Sequence, residues 1–242
     1  MSTYVLVHGA WHGSWCWNRI ASLLQQAGHN AIVLDLPGRA GDGTLHAKIT
    51  LDHYVNKVAQ VLRLQSEPVV LVGHSMGGGS ISGAAEVCPE RIRSLVYLTA
   101  VVPVNGIGAM QAFQSHGIAN ELMVPGGIEI DEAAGSLKRV PDVFLRDVFY
   151  GECCEDDAAL ASASVVPEPM GPSMQPFQLS TARFGRVPKK YIECLRDRAI
   201  PIALQRAFQA STKFDKVLSI DTDHSPFFSM PQQLTDALIG CA

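Results

Sequence analysis

Short runs rich in valine and leucine alternate with longer stretches of helical spacing through the first hundred residues. Tyr4–Val7, Ala31–Leu34, Val69–Val72 and Leu95–Leu98 are apolar and bounded by turn residues, the pattern of strands buried on both faces. Between them, Trp17–Gln26, Leu51–Leu64 and Gly79–Val87 have the length of helices. In the second of these, Leu51, Tyr54, Val55, Val58, Val61 and Leu62 fall on one helical face. Strand–helix–strand alternation of this kind predicts a parallel sheet with right-handed crossovers.

The regularity breaks at about Val104. From there to Arg186 glycine, proline, methionine and serine are frequent, with helical stretches such as Val140–Phe149 and Asp156–Ser162. The strand pattern resumes at Lys190–Leu195 and Lys216–Ile220, and a last helix is expected over Pro231–Ile239. Residues 1–103 and 187–242 thus read as a core, and residues 104–186 as an insertion lying over one edge of the sheet as a cap. A chain of 242 residues buries one such core comfortably, so a single domain is expected overall.

Composition narrows the partners. Only 17% of residues are charged and the formal net charge is −4 with both signs scattered, so there is no basic stripe for nucleic acid or for an anionic membrane. No apolar run approaches the ~20 residues that span a bilayer. Met1-Ser2-Thr3 leads directly into an apolar run without the pattern of a signal peptide, so a cytoplasmic protein is expected. The six cysteines (Cys16, Cys88, Cys153, Cys154, Cys194 and Cys241) are dispersed, and the adjacent Cys153 and Cys154 are awkwardly placed for a disulfide. No Cys-x-x-Cys or His-x-His spacing points to zinc, so neither a metal nor another cofactor is expected.

The chemistry concentrates in three places. Val69–Val72 runs into Gly73-His74-Ser75-Met76-Gly77, an apolar strand followed by Gly-x-Ser-x-Gly and a helix beginning among glycines. A turn this tight holds the serine at strained backbone angles, the glycines give it room, and its hydroxyl projects from the strand end beside the positive end of the next helix. Ser75 is therefore the candidate nucleophile. After the first strand comes His8-Gly9-Ala10-Trp11-His12-Gly13. A His-Gly loop there supplies one oxyanion donor and the residue after the nucleophile the other, which makes the backbone N–H groups of Ala10 and Met76 the candidates. His8 is expected to brace this loop through hydrogen bonds instead of acting on substrate. Trp11, Trp15 and Trp17 are expected to pack the loop, while Trp11 and His12 are also candidates for lining a pocket.

In folds built around such a turn the partners follow in the chain order Ser…Asp/Glu…His. Only His224 lies beyond the insertion, in a loop directly after Lys216–Ile220, and it is the candidate base. Asp197, at the end of the strand around Tyr191–Leu195, is the candidate for orienting it. Glu193 is the alternative, disfavoured because it lies within the strand. Arg196 and Arg198 flank Asp197 and would either depress its pKa or draw it into a salt bridge.

Val5–Trp17, Ala27-Gly28-His29 before Leu34-Asp35-Leu36-Pro37-Gly38, and Tyr191–Pro201 together resemble the plant methylesterases and hydroxynitrile lyases and related bacterial esterases of the α/β-hydrolase superfamily. The resemblance covers both ends of the chain and misses most of the insertion. It implies the α/β-hydrolase fold, a mostly parallel sheet flanked by helices with a cap inserted after the sixth strand, and cofactor-free serine chemistry on small esters. Related bacterial enzymes also cleave xenobiotic esters and carbamates, so a small-molecule ester or carbamate is the implied partner. Met110, Phe113, Met123, Phe149, Met170, Met174 and Phe177 are candidates for an apolar slot holding a flat ring. The resemblance leaves two alternatives, a hydroxynitrile-lyase-type enzyme and a non-catalytic small-molecule receptor. Lyases of this type carry a threonine in the oxyanion loop and a lysine directly after the histidine. Gly9, beside the substrate, and Ser225 stand there in this chain. A homodimer is left open.

Overall fold

The computed structural model describes residues 1–39, 41–118, 121 and 127–242. The described residues form strands β1 (Thr3–Val7), β2 (Asn30–Leu34), β3 (Val69–His74), β4 (Ile92–Leu98), three two-residue strands β5 (Ile130–Asp131), β6 (Ser136–Leu137) and β7 (Glu168–Pro169), then β8 (Lys189–Cys194) and β9 (Lys216–Ile220). Six of them make one sheet in the order β2-β1-β3-β4-β8-β9, and every neighbouring pair is parallel. This is the α/β-hydrolase architecture, with helices on both faces of the sheet. The insertion follows the fourth of these strands along the chain and not a sixth, because among the described residues four apolar runs form strands before Val104.

The period-2 alternation of the strands divides the core in two. Val5, Val7, Val69, Leu71, Leu95 and Tyr97 belong to one buried cluster, together with Tyr54, Val55, Val58 and Leu62 of helix α2 (Leu51–Arg63). Tyr4, Leu6, Val70, Val72, Val96 and Leu98 face the other cluster, with Ile20 and Leu24 of helix α1 (Asn18–Gln26) and Leu234 and Leu238 of the last helix, Pro231–Ile239. Ala31, Ile32 and Val33 are only partly buried, contrary to their apolar sequence, because the strand order puts β2 at an edge.

The strand order reverses between β1 and β3: β2 lies on one side of β1, and the next strand pairs on the other. A crevice opens at the carboxyl ends of the strands at such a switch point. The two loops leaving β1 and β3 there are His8–Gly13 and the Ser75 turn.

Between β4 and β8 the chain forms helices Ala109–Ser115 and Glu155–Ser164, the antiparallel sheet β5-β6-β7, and a helical segment at Asp142–Phe149 that widens into a π-turn from Leu145. Leu137, Val140, Leu145, Val148, Phe149 and Ala161 pack there against Ala10, Trp11 and Ala199, residues of the loops at the sheet's carboxyl edge. No helix among the described residues is long and apolar enough to cross a membrane.

Helix Ile202–Gln209, unmarked in the hydrophobic pattern, fixes the end of β8. The buried Gln205 side chain accepts from the Cys194 N–H (3.1 Å) and donates to the carbonyls of Cys194 and Ile200 (both 2.8 Å), so it holds both sides of the loop carrying Asp197. Gln205→Leu leaves these backbone groups unpaired and is expected to lower stability by about 1–3 kcal/mol or more, measured by urea unfolding against wild type.

Candidate active site

Strand β3 ends at His74, and helix α3 starts at Gly77 and runs to Val87. Ser75 stands between them at φ +54°, left-handed backbone that a serine adopts only under constraint. Its backbone is held on every side. The N–H donates to the Leu98 carbonyl (3.2 Å), and the carbonyl accepts from Gly78 and Val101 (both 3.1 Å). A Cβ at Gly73 would stand 2.8 Å from the Gly77 carbonyl, and one at Gly77 2.6 Å from that of His8, so the close approach requires glycine at both.

His224 is fully buried in the loop after β9, and its Nδ1 lies 2.6 Å from Oδ2 of Asp197. Asp197 also accepts from the Thr99 hydroxyl and, on Oδ1, from the N–H groups of Ala199 (2.7 Å) and Ile200 (2.8 Å). With Nδ1–H donating to the carboxylate, Nε2 is the basic nitrogen, and it has no hydrogen-bond partner among the described residues. His74 donates from Nε2 to the His224 carbonyl (2.9 Å), bracing the loop from beneath. Glu193 is occupied elsewhere, by Arg206 (3.2 Å), Gln209 (3.0 Å) and Ser219 (2.9 Å). The arginines beside Asp197 turn away from it: Arg196 pairs with Glu152 and Asp221, and Arg198 with Glu121.

The loop after β1 is fixed by its histidines. His8 Nδ1 donates to the Gly9 carbonyl (2.8 Å) and its Nε2 accepts from the Leu36 N–H (3.1 Å). His12 Nδ1 donates to the Ala10 carbonyl (2.8 Å), leaving Nε2 to accept from the Tyr150 hydroxyl (2.8 Å). Gly9 presses against Ser75, since a Cβ there would lie 2.7 Å from that of the serine.

A cavity of about 540 Å³ opens over Ser75, lined by Ala10, Trp11, Met76, Phe113, Phe149 and Glu168 among others. Gly9 and Phe177 line a smaller cavity of about 320 Å³ that shares Ala10, Met76 and Glu168 with the first. The remaining expected pocket residues lie elsewhere. Met170 and Met174 border an outer groove, and Met174, at the end of the short helix Gly171–Met174, is 54% exposed. His12 lines neither cavity, because both its nitrogens are bonded behind the loop and its ring stacks on Trp15. Met123 is outside the described residues. Sequence reasoning missed Thr99, which had no motif to mark it, and Glu168. The signal for Glu168 was present: a lone carboxylate in the apolar run Val165-Val166-Pro167-Glu168-Pro169-Met170. Among the described residues no cluster of three or more His, Cys, Asp or Glu could hold a metal ion, and all six cysteines are free.

Burial drives the His12 pKa down to about 3 and pushes those of His8 and His74 well below the ordinary value, so all three imidazoles are neutral. In the unfolded chain each regains a pKa of about 6.5. The unfolded state then binds more protons than the folded state below that pH, so stability is full above about pH 6.5 and falls as the pH drops toward 3. Between pH 6.5 and 5, where most carboxylates stay ionised, each histidine is expected to remove up to about 1.4 kcal/mol per pH unit. Urea unfolding at pH 7.5, 6.5, 5.8 and 5.0 checks this, and a flat profile would contradict it.

Known proteins give the same architecture. The alpha/beta hydrolase family model matches residues 4–237. A putative chloroplastic methylesterase 11 of Arabidopsis thaliana is 34% identical over 99% of the chain, which spans 63% of that relative's length. A pyrethroid hydrolase of Sphingobium wenxiniae is 32% identical over 98% of this chain and 86% of its own. The crystal structure of polyneuridine aldehyde esterase superposes with a TM-score of 0.89 at 28% identity, covering 100% of this chain and 99% of that one. With a family match over nearly its whole length, on a sheet whose switch point carries the strained serine turn, this chain belongs to the alpha/beta hydrolase family.

Proposed function

We propose that the protein is a serine hydrolase of small carboxylic esters, with a range extending to aryl methylcarbamates such as carbendazim. The observation that carries this reading is the 2.6 Å bond from His224 to the buried Asp197, with His224 Nε2 unpartnered among the described residues, in the same site as a serine at φ +54°. Ser75 Oγ attacks the carbonyl carbon and gives its proton to His224 Nε2. The imidazolium is stabilised by Asp197, which stays ionised. The oxyanion accepts the backbone N–H groups of Ala10 and Met76, a contribution of roughly 3 kcal/mol per donor. Collapse expels the alcohol or amine, which takes the proton from His224. Water then attacks the acyl- or carbamoyl-enzyme, passing its proton to His224, which returns it to Ser75 Oγ as the C–Oγ bond breaks and the carboxylic or carbamic acid leaves. Residues 104–186 act as the cap over this site.

The cavity supports an aromatic substrate. Phe113, Phe149, Met76 and Met110 give it apolar walls suited to a flat ring. Hydrolysis is favoured over cyanide elimination because no cation follows His224. Ser225 stands there fully buried, and the contact of Gly9 with Ser75 leaves no room for a side chain at that point of the loop.

Turnover of p-nitrophenyl acetate, p-nitrophenyl butyrate, a methyl ester and carbendazim, with product release followed directly, tests both levels. Ser75→Ala and Asp197→Asn are expected to lower kcat by ~10³-fold or more, and Glu193→Gln to leave it near wild type. Cleavage of esters without carbendazim removes the carbamate extension alone. Full activity in Ser75→Ala removes the mechanism.

A further inference from the structure

The loop that carries the Ala10 N–H is held from outside the sheet, by the insertion. Trp11 is the contact. Its backbone N–H donates to Glu168 Oε2 (2.8 Å), its carbonyl accepts from the Val166 N–H (3.0 Å), and its indole N–H donates to the Lys138 carbonyl (2.9 Å). All three partners belong to the segment between β4 and β8, and Trp11 sits at φ +61°. Glu168 is itself fixed, accepting from the Tyr54 hydroxyl on Oε1 (2.8 Å) and pairing with the buried Arg39 guanidinium on Oε2. Arg39 also donates from Nε to the His12 carbonyl (2.5 Å).

These bonds determine where the N–H of Ala10 points. A trans peptide holds its C=O and N–H in opposite directions. The Gly9–Ala10 peptide has its carbonyl tied to His8, which turns the Ala10 N–H the other way. The next peptide is held at both ends, its Ala10 carbonyl by His12 and its Trp11 N–H by Glu168. With both planes fixed, the backbone angles of Ala10 between them are fixed as well. Without Glu168 the second plane loses one of its two anchors, at a residue whose left-handed backbone is already strained.

We propose that Glu168 is a positioning residue for the oxyanion loop: its carboxylate clamps the Trp11 N–H and thereby aims the Ala10 N–H at the developing oxyanion. This rests on the serine-hydrolase reading above. The clamp acts on the tetrahedral state and not on ground-state binding, so its loss belongs in kcat.

The test compares wild type, Glu168→Ala, Glu168→Gln and Ser75→Ala with p-nitrophenyl acetate, alongside inhibition by phenylboronic acid, which forms a tetrahedral adduct on a nucleophilic serine. For Glu168→Ala, kcat is expected to fall about 10- to 100-fold, less than the ~10²–10³ lost on deleting an oxyanion donor outright. KM should stay within about twofold, and the boronate inhibition constant should rise by a factor similar to the fall in kcat. Glu168→Gln keeps a carbonyl oxygen for the Trp11 N–H and is expected to recover most of the loss. If Glu168→Ala does not fold, Glu168→Met, which fills the volume without an equivalent acceptor, carries the same comparison. An unchanged kcat, a loss confined to KM with boronate binding intact, or a Gln variant as impaired as Ala would each overturn the clamp. Absence of Ser75-dependent turnover in wild type would instead overturn the hydrolase reading itself.

Discussion

The arrangement of the site depends on one buried carboxylate. Asp197 is almost entirely removed from water, and an unpaired charge there would cost several kcal/mol. It persists because His224, the Thr99 hydroxyl and two successive backbone N–H groups all donate to it. Each donor comes from a defined place in the fold: the loop after β9, the end of β4, and the turn after β8. One carboxylate therefore sets the relative position of three strand ends. Gln205 fixes the last turn from behind, and the neighbouring arginines are drawn off to Glu152, Asp221 and Glu121, which leaves the carboxylate to the histidine.

Strain collects around the same point. Among the described residues the non-glycine positions with positive φ are Trp11, Ser75 and Thr99. One belongs to the loop after β1, one is the serine, and the third donates to Asp197. Such conformations hold only where the surroundings over-determine them, and here they do, through hydrogen bonds to both sides of each turn and the absence of Cβ atoms at Gly73 and Gly77. The neutral histidines serve the same end. His8, His12 and His74 each donate one N–H to a backbone carbonyl of the loops, which a charged lysine or arginine could do only by bringing an unpaired charge into the interior.

The sheet and its loops were legible in the sequence because their causes are local. Four short apolar runs, the helical face of Leu51–Leu62 and the glycines about Ser75 each state their conformation within a dozen residues. His224 and Asp197 were singled out by chain order and by lying just beyond a strand, and the structure brings the two side chains into hydrogen-bond contact. The insertion was not legible in that way. Its strands are two residues long, too short for alternation to register, and the π-turn at Leu145–Phe149 reads in sequence as ordinary helix. Its residues are placed by contacts over a hundred residues away, such as Glu168 with the Tyr54 hydroxyl and the Lys138 carbonyl with the Trp11 indole, so apolar character alone does not separate Phe113 and Phe149, which line the cavity, from Met174, which stands largely in solvent. Helix Ile202–Gln209 was missed for a related reason: one of its buried residues is a glutamine, satisfied by backbone that its own sequence does not contain.

The Arg39–Glu168 pair shows what a buried charge contributes when stability is not the gain. Removing two charges from water offsets much of their attraction, and apolar residues of the same volume often stabilise an interior as well. What they could not supply is direction. A carboxylate accepts along defined lines, and here one oxygen receives the Trp11 N–H while the other takes the Tyr54 hydroxyl from helix α2. The guanidinium continues the chain of bonds to the His12 carbonyl. Insertion, helix and loop are thereby set to one another through hydrogen bonds, where apolar packing alone would let them slide. A serine at a strained turn is fixed by its own neighbours, whereas the Ala10 N–H lies on a separate loop, and one of the bonds that hold that loop comes from Glu168, far along the chain.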